Sequence, residues 1–137
     1  MTFIGRNYIN VYDSTLHLAV ITYYNWVQTA SMESTCLLSV YAWRDGYYGE
    51  DGGILGSTST GVVTDDTWKC IRCLGQLEDG WRWELEFDDS AWPNARVVDT
   101  NDNGVYFGIV DEISSQAKWI WTDNARHNNI CCRKTLC

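Results

Sequence analysis

The chain of 137 residues fits one domain of ordinary size, and its 45% hydrophobic and 20% charged residues are the balance of a globular protein, which excludes a disordered chain. With 18 acidic against 10 basic side chains the net charge is -8, and no basic run offsets it locally. Such a field argues against nucleic acid and anionic membranes as partners, and no stretch reaches the ~18 apolar residues that membrane insertion needs.

Aromatic residues are abundant, with 8 Trp, 8 Tyr and 3 Phe. They favour strands and bury large areas, and they also serve as flat platforms for ligands. Six cysteines stand at 36, 70, 73, 131, 132 and 137. An even number in a small domain reads as an oxidised framework, formed outside the cytosol in a secreted, extracellular protein. Cys70-Ile71-Arg72-Cys73 also has zinc spacing, but the second pair would be the adjacent Cys131 and Cys132, a poor geometry for a zinc knuckle. Met1 to Arg6 lacks the apolar stretch of a secretion signal, as in a mature form.

In chain order, Tyr8 to Tyr12 is a short strand candidate. Leu16 to Thr22 and Cys36 to Ala42 read as strands buried on both faces. Gly52 to Thr60, rich in Gly, Ser and Thr, reads as a long surface loop. Trp68 to Cys73 is the next strand. Trp81 to Phe87 is the clearest of all: Trp81, Trp83, Leu85 and Phe87 alternate with Arg82, Glu84 and Glu86, giving one core face and one wet face. Arg96 to Val98, Val105 to Ile109, Lys118 to Trp121 and Ile130 to Lys134 complete the strands, and Asp111 to Ala117 is the one candidate helical turn. Turn clusters such as Glu78-Asp79-Gly80 and Asn101-Asp102-Asn103-Gly104 separate them. Many short strands and no internal repeat predict an all-β sandwich or jelly roll. Adjacent Cys131 and Cys132 on a strand face opposite ways and therefore take different partners.

Residues 64 to 134 carry a more specific pattern. It runs from Thr64-Asp65-Asp66-Thr67-Trp68-Lys69-Cys70 through Gly80-Trp81 to Phe87-Asp88-Asp89-Ser90-Ala91-Trp92-Pro93-Asn94-Ala95. It closes with Ala117-Lys118-Trp119-Ile120-Trp121 and Cys132-Arg133-Lys134. In that order the pieces resemble the galactose-binding-like jelly-roll domain found beside bacterial α-L-rhamnosidase catalytic domains and in extracellular proteins of marine invertebrates. The resemblance implies a single galactose-binding-like β-sandwich domain over residues 1–137. Its N-terminus is abbreviated, so that missing edge strands come from Phe3 to Tyr12 or from a partner chain. It also implies a disulfide between Cys70 and Cys132. Pairings among Cys36, Cys73, Cys131 and Cys137 stay open.

Two loops carry the mixture that sugar recognition needs, a flat ring for the apolar face of a pyranose and charged groups for its hydroxyls. One offers Trp43, Arg44, Asp45, Tyr47 and Tyr48; the other, between the last two strands, offers Asp123, Arg126 and His127. Packing of the tyrosines inward and an ordinary polar loop are the plainer alternatives. Asp99, Asn101 and Asn103 follow the opening half of a calcium loop, D-x-[DN]-x-[DN]-G, although Val110 stands where the closing Glu belongs. Calcium is thus a candidate cofactor, and the residues suggest no other.

Catalysis finds little support. His17 lies inside a strand, and no Ser or Cys sits in a nucleophile elbow. Adjacent acids such as Asp88-Asp89 diverge rather than face each other across the ~5 to 9.5 Å of a glycosidase cleft. The expectation is a secreted lectin-like carbohydrate-binding module without enzyme activity. Its weak single sites would gain from homo-oligomers or tandem copies. The alternative is a structural or adhesive extracellular matrix protein acting through protein contacts.

Overall fold

The computed structural model describes residues 1–5, 8–13, 17–22, 27–29, 36–43, 52–73, 81, 84–102 and 108–137. Its strands are β1 (Thr2–Gly5), β2 (Tyr8–Asp13), β3 (His17–Thr22), β4 (Gln28–Thr29), β5 (Leu37–Trp43), β6 (Ile54–Ser57), β7 (Lys69–Arg72), β8 (Arg96–Thr100), β9 (Lys118–Trp121) and β10 (Asn129–Thr135). Among the described residues there is no α-helix, and no helix long and apolar enough to cross a membrane.

The strands form two antiparallel sheets of five, ordered β4-β1-β6-β9-β8 and β3-β2-β5-β10-β7. Alternation sets their inner faces. On β5 Leu38, Val40 and Ala42 turn inward, and on β10 Ile130 and Cys132 do. They meet Phe3, Ile54, Ile120 and Trp121 from the other sheet in one shared core. Each fully buried side chain of this size contributes roughly 1.5–3 kcal/mol of burial energy.

Each sheet also has a covered outer face. Ile4 and Leu55, paired across β1 and β6, pack under Ile113 and Ala117. On the other sheet, Cys131 and Cys73 pack with Trp81 and Trp92, and the half-buried Phe87 and Ile71 close around them. Trp92 lies 6.3 Å from Trp81 and 5.8 Å, edge-on, from Phe87. The ring before Pro93 is therefore a packed lid.

A single buried polar side chain ties down each cover. Arg133, 1% exposed, donates from Nε to Asp89 at 2.9 Å, from Nη1 to the carbonyl of Trp81 and from Nη2 to that of Glu84 at 3.1 Å. Its guanidinium also sits 4.9 Å from the Phe87 ring centre. Asn101, also 1% exposed, donates from Nδ2 to the carbonyls of Val110, Ile113 and Ser114 at 3.0 Å each. Its Oδ1 accepts the Val110 amide at 2.8 Å.

All six cysteines are bonded. Cys70 and Cys132 face each other in the β7–β10 ladder, with Cα atoms 4.1 Å apart, and lie in the core. Cys73–Cys131 joins the same two chain segments on the outer face, and Cys36–Cys137 ties the start of β5 to the end of the chain. Neighbours 131 and 132 do take partners on opposite sides of one strand.

Four expectations change. Trp81 to Phe87 is not a strand where it is described: Trp81 is buried, but Leu85 is 46% exposed in a turn. Its carbonyls at 81 and 84 are satisfied by Arg133 instead of a neighbouring strand. Gly52 to Thr60 is not all loop, since Ile54–Ser57 is the fully buried strand β6. Asp111 to Ala117 makes separate turns, closed by Ile113 N–H to Val110 and Ala117 N–H to Ser114, rather than a helical turn. The expected strand Val105 to Ile109 lies mostly outside the described residues, and its described end, Gly108 and Ile109, is in no strand. Phe3 to Tyr12 supplies β1 and β2, which sit inside the two sheets rather than at their edges.

Candidate functional site

The β5–β10 ladder places Trp43, the one described residue of the first sequence-selected segment, at the foot of the second. Trp43, the last residue of β5, is the register partner of Asn129, the first of β10. Trp43 and the loop 122–128 therefore lie at the same end of the sandwich. Alternation puts Tyr41 and Trp43 on one face of β5, where their rings stack at 5.3 Å with planes 20° apart. Tyr41 is held in turn by its hydroxyl, which donates to Asn129 Oδ1 at 2.8 Å. Trp43 is half-buried, so part of its surface faces solvent. Arg44, Asp45, Tyr47 and Tyr48 lie outside the described residues.

Loop 122–128 is built from its own polar groups. Asn124 Oδ1 accepts the Arg126 amide at 2.9 Å, and the Asn124 carbonyl accepts the His127 amide at 3.1 Å. Thr122 Oγ1 donates to the Asn124 carbonyl at 3.2 Å and lies 2.7 Å from His127 Nδ1. A hydroxyl has one proton, so the second bond is donated by Nδ1–H, and Nε2 carries the acceptor lone pair. Burial first, and then the positive charge of Arg72, hold the His127 pKa below the ordinary imidazole value, with Asp123 pulling the other way. The ring is accordingly neutral at neutral pH. Asp123 and Arg126 are exposed.

Arg72, at the end of β7, belongs to this end as well. It is opposite Ile130, and the next residue, Cys73, donates its amide to the Asn129 carbonyl at 3.0 Å. Arg96 starts β8 and donates from Nε to the Thr122 carbonyl at 3.0 Å. Neither arginine stands out in the sequence, because cross-strand register alone brings them here. Tyr41, by contrast, is legible from its spacing to Trp43.

The calcium candidates sit at the opposite end. Asp99 is buried, and its Oδ1 accepts the amide of Thr100 at 2.8 Å. Asn101 uses both ends of its amide on the 110–114 segment, and Asn103 lies outside the described residues. An open cavity of about 380 Å³ adjoins Asn101, lined by Ile109 to Ser115. Among the described residues no three His, Cys, Asp or Glu side chains converge as a metal-ligating group. Cys70 and Cys132 are bonded in the core.

The molecule is thus an all-β, three-disulfide protein of two antiparallel sheets around a common core. Comparison with known proteins finds no matching family model, no matching curated protein and no matching solved structure.

Proposed function

We propose that the protein is a secreted, non-catalytic carbohydrate-binding module, a small lectin on a galactose-binding-like jelly roll. The observation that carries this reading is the Trp43–Asn129 register pair, which gives a half-buried stacked indole and the Asp123, Arg126 and His127 loop a common end. A ring for the apolar face of a sugar, an imidazole acceptor and charged groups for hydroxyls are the elements such recognition uses. Three disulfides accord with an extracellular setting.

A glycan array, screened with multivalent protein in calcium and in EDTA, tests the reading. Defined sugar hits that Trp43→Ala abolishes support it, and loss of those hits in EDTA assigns a role to the Asp99–Asn103 segment. No hits, together with a stable dimer or polymer, overturn it in favour of a structural or adhesive matrix role.

A further inference from the structure

The outer face of the β5–β10 ladder is covered over only part of its length. Residues on this face come in opposed pairs: Arg133 with Ser39, Cys131 with Tyr41, and Asn129 with Trp43. Trp81 and Trp92 pack over the middle pair, where Cys131 is buried and Tyr41 half-buried. Among the described residues that apolar cover stops at Tyr41. Trp43 and Asn129 stand one pair further toward the end of the sandwich, and both are half-buried.

Three contacts fix this last pair. The Tyr41 ring stacks on that of Trp43 at 5.3 Å. The Tyr41 hydroxyl donates to Asn129 Oδ1 at 2.8 Å. The Asn129 carbonyl accepts the Cys73 amide at 3.0 Å, and the Cys73–Cys131 bridge holds that strand end in place. With Oδ1 engaged as acceptor, the rotation of the Asn129 amide is set, and its Nδ2 hydrogens are the donors left over. Among the described residues Nδ2 has no hydrogen-bond partner. Directly opposed residues of an antiparallel pair have Cβ atoms roughly 4.5–5.5 Å apart, so amide and indole border the same patch.

We infer that Asn129 is a sugar contact: with Trp43 against the apolar face of an uncharged pyranose, the Nδ2 hydrogens donate to one of that sugar's oxygens. Tyr41 is the positioning residue that orients both groups. The inference rests on the sugar-binding reading above, to which it adds a residue and a ligand class. Ring, phenol and amide are all uncharged, and a chain of net charge -8 repels anions. A sugar lacking an oxygen at the right place would leave the amide donor desolvated and unbonded, so the pair selects for oxygen position as well as ring shape.

The test is an NMR titration that follows the Trp43 indole and the Asn129 side-chain amide of the full chain. The probes are methyl β-galactopyranoside, methyl β-glucopyranoside and the methyl glycoside of each neutral sugar that the glycan array returns. At least one probe is expected to shift both signals with the same midpoint concentration. Asn129→Asp keeps an acceptor for Tyr41 and removes the donor, and it weakens that probe about 5- to 10-fold. Tyr41→Phe keeps the stacked ring and frees the amide, and it weakens the probe about 2- to 5-fold. In both variants the Trp43 indole signal of the sugar-free protein stays in place. A probe that moves Trp43 and leaves the Asn129 amide unmoved, or that binds Asn129→Asp as tightly as the parent, overturns the inference and leaves the sugar-binding reading standing. Array hits confined to charged glycans do the same. A blank array, with no shift by either galactoside or glucoside, overturns both.

Discussion

Arg133 and Asp89 are joined at 2.9 Å across 44 residues of chain, the arginine almost wholly buried and the aspartate a quarter exposed. The pair fastens the segment Trp81 to Trp92 over the outer face of β7 and β10. Replacing Arg133 by Met leaves the carbonyls of Trp81 and Glu84 without their donor, with an expected loss of about 2–4 kcal/mol in urea unfolding. Asp89→Asn loses nearer 1 kcal/mol, because solvent already screens the carboxylate. Tryptophan emission in Arg133→Met shifts to the red as Trp81 and Trp92 gain water.

The Asn101 amide gives a sharper contrast. Asn101→Asp puts a carboxylate where an NH₂ group faces three backbone carbonyls. A loss of about 3 kcal/mol or more is expected at neutral pH, partly recovered as the acid is protonated. Thermal melts at pH 4 and pH 7 measure the difference.

Gly52 is fixed by close approach. A Cβ at this position would meet three ring carbons of Trp121 within 2.7 Å, and that ring is itself fully buried. Gly52→Ala is expected to cost about 1–3 kcal/mol. Gly56→Ala meets mainly the flexible end of Met1, and Met1→Ala should relieve most of its smaller penalty. Chemical denaturation of the single and double variants checks both.

His127 makes stability depend on pH in a defined direction. Its folded pKa lies below the ordinary 6.5, so between those two values the unfolded chain binds more protons. Stability is therefore full above 6.5, falls as pH drops through that value and levels off below the folded pKa. NMR titration of the ring should give a midpoint under 6.5, raised by Arg72→Gln and lowered by Asp123→Asn.

The three bridges should open in order. Cys70, Cys132, Cys73 and Cys131 are buried, whereas Cys137 is exposed and Cys36 half-buried. Under a mild dithiol and native conditions, alkylation with mass spectrometry should label Cys36 and Cys137 first. Replacing Cys70 and Cys132 by Ala, within the core, is expected to cost about 2–5 kcal/mol.

Much of the strand framework was legible in residue pattern. Lys118–Trp121 is a strand with the bounds its aromatic run predicts, and β2, β3, β5 and β10 follow their β-branched and aromatic runs within a residue or two. β6 was hidden because its neighbourhood is full of Gly and Ser. Those small residues read as a loop, yet they are small because Trp121, Phe3 and Met1 press against them. The alternation of Trp81 to Phe87 misled for the opposite reason, since a distant arginine took the place of a neighbouring strand as hydrogen-bond partner. At the candidate site, ring and loop could be picked out from composition. The place of Arg72 and Arg96 beside them depends on register, which local sequence does not encode.

The bridge between Cys36 and Cys137 also sets the molecule's mechanical behaviour. Tension applied at Met1 and Cys137 travels along the first 36 residues and then crosses directly through sulfur, bypassing everything between the two cysteines. Only the leading strands can be drawn out, at roughly 3.5 Å per residue, while the backbone between the two cysteines cannot be extended until that bond is reduced.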